Sequence, residues 1–169
     1  MLTSPSRSNT AFSAPMATAI AGGANNATAG IECSSEKAAI LRQLDAVRVE
    51  GGQTLLLGSI SMVGIRLGSE KPATCPEYRE KKLIVISDGE DRVSKITASE
   101  LAAELKAAGT VVYAVGLIED LSSGAKSEAR EFLTNITKET GGKVVLPKKK
   151  QSASEIVAEL LGVTPKVSK

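Results

Sequence analysis

From residue 34 onward the apolar positions fall into alternating helical and extended patterns. In "SSEKAAILRQLDAV", Ile40, Leu41, Leu44 and Val47 share one stripe with charges opposite, and "EGG" follows, which predicts a helix over about 35–48. Thr54 stands where it can cap a second helix running to about Leu67, apolar on nearly every side and stopped by Gly68. Such a helix belongs inside a protein or under another layer. A polar loop, "GSEKPATCPEYREKK", leads to a strand over Leu83–Ile86 that ends abruptly in acid, "KKLIVISDGED". "TASE" then gives Thr97 and Glu100 the spacing of a capping box, Leu101 and Leu105 point inward, and Gly109 is the stop. "TVVYAVGL" predicts an all-apolar strand. A helix over about 126–140 with Ala129, Phe132, Leu133 and Ile136 on its inner face ends at "TGG". "KVVLP" is a short third strand, and "SASEIVAELL" a last helix capped by Ser152 with Glu155.

Near-continuous Val/Ile runs separated by helices of this length predict an α/β fold: a Rossmann-like open, mainly parallel sheet with helices on both faces. The chain divides into a low-complexity segment, 1–33, a domain over 34–161 and a flexible tail, 162–169. Residues 1–31 hold one charge, Arg7, among Ser, Ala, Thr, Asn, Gly and Pro, too little apolar bulk to offset ordering entropy, so most of the first segment is expected to be disordered. "APMATAIAGGA" lacks leucines and contains two glycines, a poor signal-peptide core, so the expected location is cytoplasmic, with secretion or the cell envelope as the alternative. No apolar run reaches the roughly 18 residues of a membrane span.

Composition removes several chemistries. The chain has 169 residues and no histidine, which excludes Ser-His-Asp, Cys-His and His-rich metal sites. With 21 basic and 19 acidic residues the net charge is +2, and aromatics are confined to Phe12, Tyr78, Tyr113 and Phe132, so neither a nucleic acid nor an anionic membrane is an expected partner. Cys33 and Cys75 lack metal or redox spacing and are expected to be free thiols. "PKKKQ" has no neighbouring aromatics or arginines and fits a solvated loop, and no phosphate-binding glycine motif occurs.

In open parallel sheets the functional crevice lies beyond the carboxyl ends of the strands, which is where Asp88 falls. Asp88, Glu90 and Asp91 are hard oxygen donors suited to Mg²⁺ or Ca²⁺, although on pattern alone they fit a solvated Asp-Gly turn better than a metal loop.

"KKLIVISDGED", "ELAAELKAAGTVVYAVGL" and "FLTNITKETGG", preceded by "LRQLDAVRVEGGQTLLLGSISMVGIRL", resemble the C-terminal part of a von Willebrand factor type A domain of the bacterial sort, over about residues 34–161. The resemblance implies a crevice holding a metal-ion-dependent adhesion site, with Thr54 as its threonine and Asp88 as its later aspartate. The family's Asp-x-Ser-x-Ser loop has no counterpart, since no aspartate precedes Asp45; "DLSSG" at Asp120 has the wrong spacing and lies in the wrong loop. The expected site is therefore degenerate: Thr54 and Asp88 alone, binding Mg²⁺ weakly or not at all, with no other cofactor. The implied function is a non-enzymatic module binding another protein through the loops near Thr54, Asp88 and Asp120. The alternatives are an accessory subunit of an ATP-driven chelatase or remodelling complex, or a truncated remnant. In the family a further strand flanks the one that here is "LIVIS"; without it, an exposed strand edge is open to self-association.

Overall fold

A computed structural model describes residues 16–20, 30–34, 37–45, 54–69 and 81–163. In chain order the elements are β1 (Met16–Ile20), β2 (Gly30–Ser34), α1 (Lys37–Asp45), α2 (Leu56–Ser69), β3 (Lys81–Ser87), α3 (Ala98–Ala108), β4 (Thr110–Gly116), α4 (Ser123–Thr140), β5 (Val144–Val145) and α5 (Ala153–Leu161). The strands β3, β4 and β5 form a parallel sheet in that order, with Lys81 opposite Thr110 and Ala114 opposite Val144. This is the α/β, Rossmann-like layering expected from the alternation of patterns.

Local chemistry sets the element ends. Thr97 and Ser152 accept from the backbone N–H groups of Glu100 and Glu155, whose carboxylates reach back to the cap residues, so both predicted capping boxes form. Each satisfies two N–H groups that the first helical turn leaves orphaned. Gly109 closes α3 and Gly141 closes α4 in the left-handed region. Gly142 answers a different need: a Cβ there would run into the Val112 carbonyl, so the chain can enter β5 only with glycine at this point. Because β5 has two residues, it is too short to serve all of β4; the Val112 N–H donates instead to Thr140 Oγ1, 3.0 Å away at the end of α4.

The two faces of the sheet are covered unequally. Helices α2, α3 and α4 close one face around Leu57, Ile60, Leu101, Leu105, Leu133 and Ile136, packed on Val85, Val112 and Ala114. Two successive crossovers in one direction across the sheet put α3 and α4 on the same side. Helix α5 covers the other face only over β4 and β5, where Leu160 and Ile156 meet Val115, Val145 and Tyr113. On β3 that face is bare: Ile84 is 51% and Ile86 67% exposed. The strand that reads as wholly buried is thus half-buried, because among the described residues nothing lies over it there.

Other expectations shift. Strands β1 and β2 pair as an antiparallel ladder, with Met16 opposite Ser34. Helix α1 lies against this ladder, and Leu41, expected to face inward, is 47% exposed; Val47 falls outside the described residues, as does Cys75. Helix α2 runs past Gly68 to Ser69, and α4 begins at Ser123 rather than near 126. Among the described residues no helix is long and apolar enough to cross a membrane.

Candidate functional site

The crevice lies at the carboxyl ends of β3 and β4. The Leu117 N–H donates to the Ser87 carbonyl, 2.8 Å away, so the two strands stay joined to the point where their loops diverge. The β3 loop then folds on itself: Ser87 Oγ accepts from the Gly89 N–H at 3.1 Å, and Asp88 Oδ1 accepts from the Glu90 N–H at 3.1 Å, an Asx turn. Gly89 has φ +82°, and a Cβ on it would come within 2.8 Å of the Ala129 Cβ on α4. Both the backbone conformation and the close approach require glycine, and the turn is thereby pressed against α4.

Thr54 is brought to this loop. It is half-buried, and its carbonyl accepts from the Arg92 N–H at 3.0 Å. It does not cap α2, contrary to the expectation from its position. The helix takes its cap from the other side of the crevice: Asp91 Oδ1 accepts from the Leu57 N–H at 3.1 Å, and Ser94 Oγ from the Gly58 N–H at 3.0 Å. Asp91 further accepts from Ser94 Oγ at 2.6 Å and from the Ser94 N–H at 3.2 Å, so both of its oxygens are engaged. A carboxylate at a helix N-terminus also meets the positive end of the helix dipole. Asp91 was expected in a solvated Asp-Gly turn and Ser94 was not singled out; the spacing "DRVS" was the available signal, but it gives no hint of a helix more than thirty residues upstream.

Beside this junction is a cleft of about 310 Å³ lined by Leu57, Gly89, Glu90, Arg92, Glu128 and Phe132, among others. Its rim is charged and its floor apolar. Glu90 pairs with Arg92 at 2.8 Å, and this carboxylate holds the Arg92 guanidinium still further above its ordinary value. On the β4 side, Leu117 is 55% exposed and Asp120 is exposed, while Lys126 ties the loop to α4 through the Glu119 carbonyl at 2.8 Å.

Mg²⁺ needs about six oxygens in near-octahedral array. Asp91 is committed to α2, and Asp88 has one oxygen in its own turn, which leaves little beyond the second Asp88 oxygen and the Thr54 hydroxyl. Among the described residues no group of three or more Asp, Glu, Cys or His is placed to hold a metal. The described residues do not by themselves make up a complete cation site.

An open parallel sheet with its crevice at the strand ends, approached by a helix N-terminus, defines the class of Rossmann-like binding domains. Within that class, a family model described as the von Willebrand factor type A domain matches residues 24–159, well over half of the chain, and the protein belongs to that family. The match starts upstream of residue 34, where the domain was expected to begin, and so takes in β2. Domains of this family commonly mediate protein–protein interaction. No curated protein matches the chain.

Proposed function

We propose that this chain is a non-enzymatic interaction domain that holds a partner protein on the crevice face formed by the loops near Thr54, Asp88 and Asp120, without a bridging metal. The observation that carries the reading is the commitment of Asp91 to α2: the loop that looks richest in metal donors spends them on holding two segments together. The metal-ion-dependent adhesion site is thereby reduced to Thr54 and Asp88, with Mg²⁺ bound weakly or not at all. A charged rim over an apolar floor, with Leu117 exposed nearby, supports a protein partner, since buried apolar anchors within a polar rim are the usual anatomy of such interfaces. A role without catalysis is supported by the lack of any histidine and by the engagement of the two loop hydroxyls, Ser87 and Ser94, in local bonds to carboxylates.

The test is affinity capture with the full chain, run in Mg²⁺ and in EDTA, beside the variants Leu117→Glu and Arg92→Glu, both at exposed positions. The expected result is a protein partner retained equally in both buffers and lost with either variant. Release by EDTA would show a metal-bridged contact, and retention by both variants would place the contact elsewhere; either result overturns the proposal.

A further inference from the structure

The open side of β3 combines two features that the crevice does not use. The Ser87 carbonyl faces β4, as its bond from the Leu117 N–H shows. Because backbone groups alternate in direction along an extended strand, Leu83 and Val85 also face β4, whereas Ile84 and Ile86 direct their N–H and C=O groups away from it. The same two residues carry the exposed side chains on the bare face. Among the described residues no strand pairs with Ile84 and Ile86 on this side, and an edge of exposed backbone and flat apolar side chains is a template for another strand.

The sequence of the strand says which one. "KKLIVISDGED" is basic at its start and acidic at its end, so it complements itself when reversed. We infer that two copies of this chain pair antiparallel along β3, with Val85 at the two-fold axis, Ile84 of one copy opposite Ile86 of the other, and Lys82 opposite Asp88. In this register the outward-facing residues meet outward-facing residues, so each Ile84–Ile86 pair exchanges both backbone hydrogen bonds. Residues directly opposite share a face, so the four isoleucines form one continuous row across the junction. Lysine meets aspartate at both ends, whereas the neighbouring registers set Ile86 opposite Lys82 or Ile84 opposite Asp88. The two sheets become one of six strands, closed by symmetry. Lys81 and Lys82 have further interactions within their own chain, and the pairing does not require them to be free. The pairing rests on β3 itself and shares only Asp88 with the crevice.

Sedimentation equilibrium of the full chain over the micromolar range tests it, with amide hydrogen exchange at Ile84 and Ile86. The expected result is twice the monomer mass, with both amides protected in the dimer. Ile86→Lys should abolish the dimer by placing like charges beside Lys82 of the other copy. Ile86→Pro should abolish it by deleting an outward N–H while leaving the β3–β4 ladder intact. Unchanged far-UV circular dichroism of both variants establishes that the fold survives. A monomer at every concentration overturns the inference, whether its edge amides exchange freely or are protected by another segment of the chain. A dimer that tolerates both variants overturns it as well.

Discussion

Replacing Asp91 with alanine should destabilise the domain far more than the same change at Asp88, although both are acidic residues of one loop. Asp91 accepts from the Leu57 N–H, from the Ser94 N–H and from Ser94 Oγ, whereas Asp88 accepts one backbone bond, from a residue two positions on, and a longer one from Ser87 Oγ at 3.4 Å. Leu57 is buried, so its N–H would be left without an acceptor where water is scarce, at about 1–3 kcal/mol. Loss of a cap side chain alone costs about 0.5–2 kcal/mol. These two costs overlap, and the released Ser94 also holds Gly58, so a total of about 2–3 kcal/mol is expected for Asp91→Ala. Asp91→Asn keeps one acceptor but loses the charge at the helix end, worth about 0.3–1 kcal/mol, and should fall between the two alanine variants. Asp88→Ala should cost about 1 kcal/mol. Urea unfolding followed by far-UV circular dichroism measures the differences, since the chain has no tryptophan. Protein concentration must be held constant because association would add to apparent stability. An Asp91→Ala loss within about 0.5 kcal/mol of wild type, or one no larger than that of Asp88→Ala, would refute the assignment of Asp91 to α2.

The glycines give a second set of tests by urea unfolding. Gly89→Ala should cost about 2 kcal/mol or more, from a left-handed backbone and contact with Ala129 together, and a neutral result would mean that the turn is not pressed on α4. Gly142→Ala, which meets the Val112 carbonyl, should cost about 3 kcal/mol, whereas Gly141→Ala pays only the left-handed penalty of about 1–2 kcal/mol; the reverse order would contradict the packing at β5. The side chains of Thr97 and Ser152 hold the carboxyls of Glu100 and Glu155 below the ordinary glutamate range. A carboxyl depressed on folding contributes stability above its unfolded value and loses it as pH falls through the folded one, so the starts of α3 and α5 should loosen only in acid. Carboxyl carbon shifts followed by NMR should titrate below the usual glutamate value, and midpoints at or above it would argue against both capping boxes.

What could be read from the sequence is what depends on neighbours a few residues apart. The capping boxes of α3 and α5, the stops at Gly109 and Gly141 and the apolar strands β3 and β4 are all encoded within windows of that size. The crevice position of Asp88 followed from strand polarity alone. The role of Asp91 was not legible because its partner Leu57 is remote in sequence, and an acidic residue bound to a helix N-terminus looks, in one dimension, like one in a solvated turn. The exposure of Ile84 and Ile86 was hidden for a related reason: composition records what a strand can bury, whereas burial depends on how far α5 extends across the sheet. The β1–β2 ladder, MATAI against GIECS, has no strong apolar alternation to announce it.

The central claim is that the crevice keeps the family's position without its metal. Titration of Mg²⁺ into the full chain, read by calorimetry and by amide shifts of Thr54, Asp88 and Gly89, tests it most directly. The account predicts no saturable change in the micromolar range; a micromolar site that disappears with Asp88→Ala would contradict it.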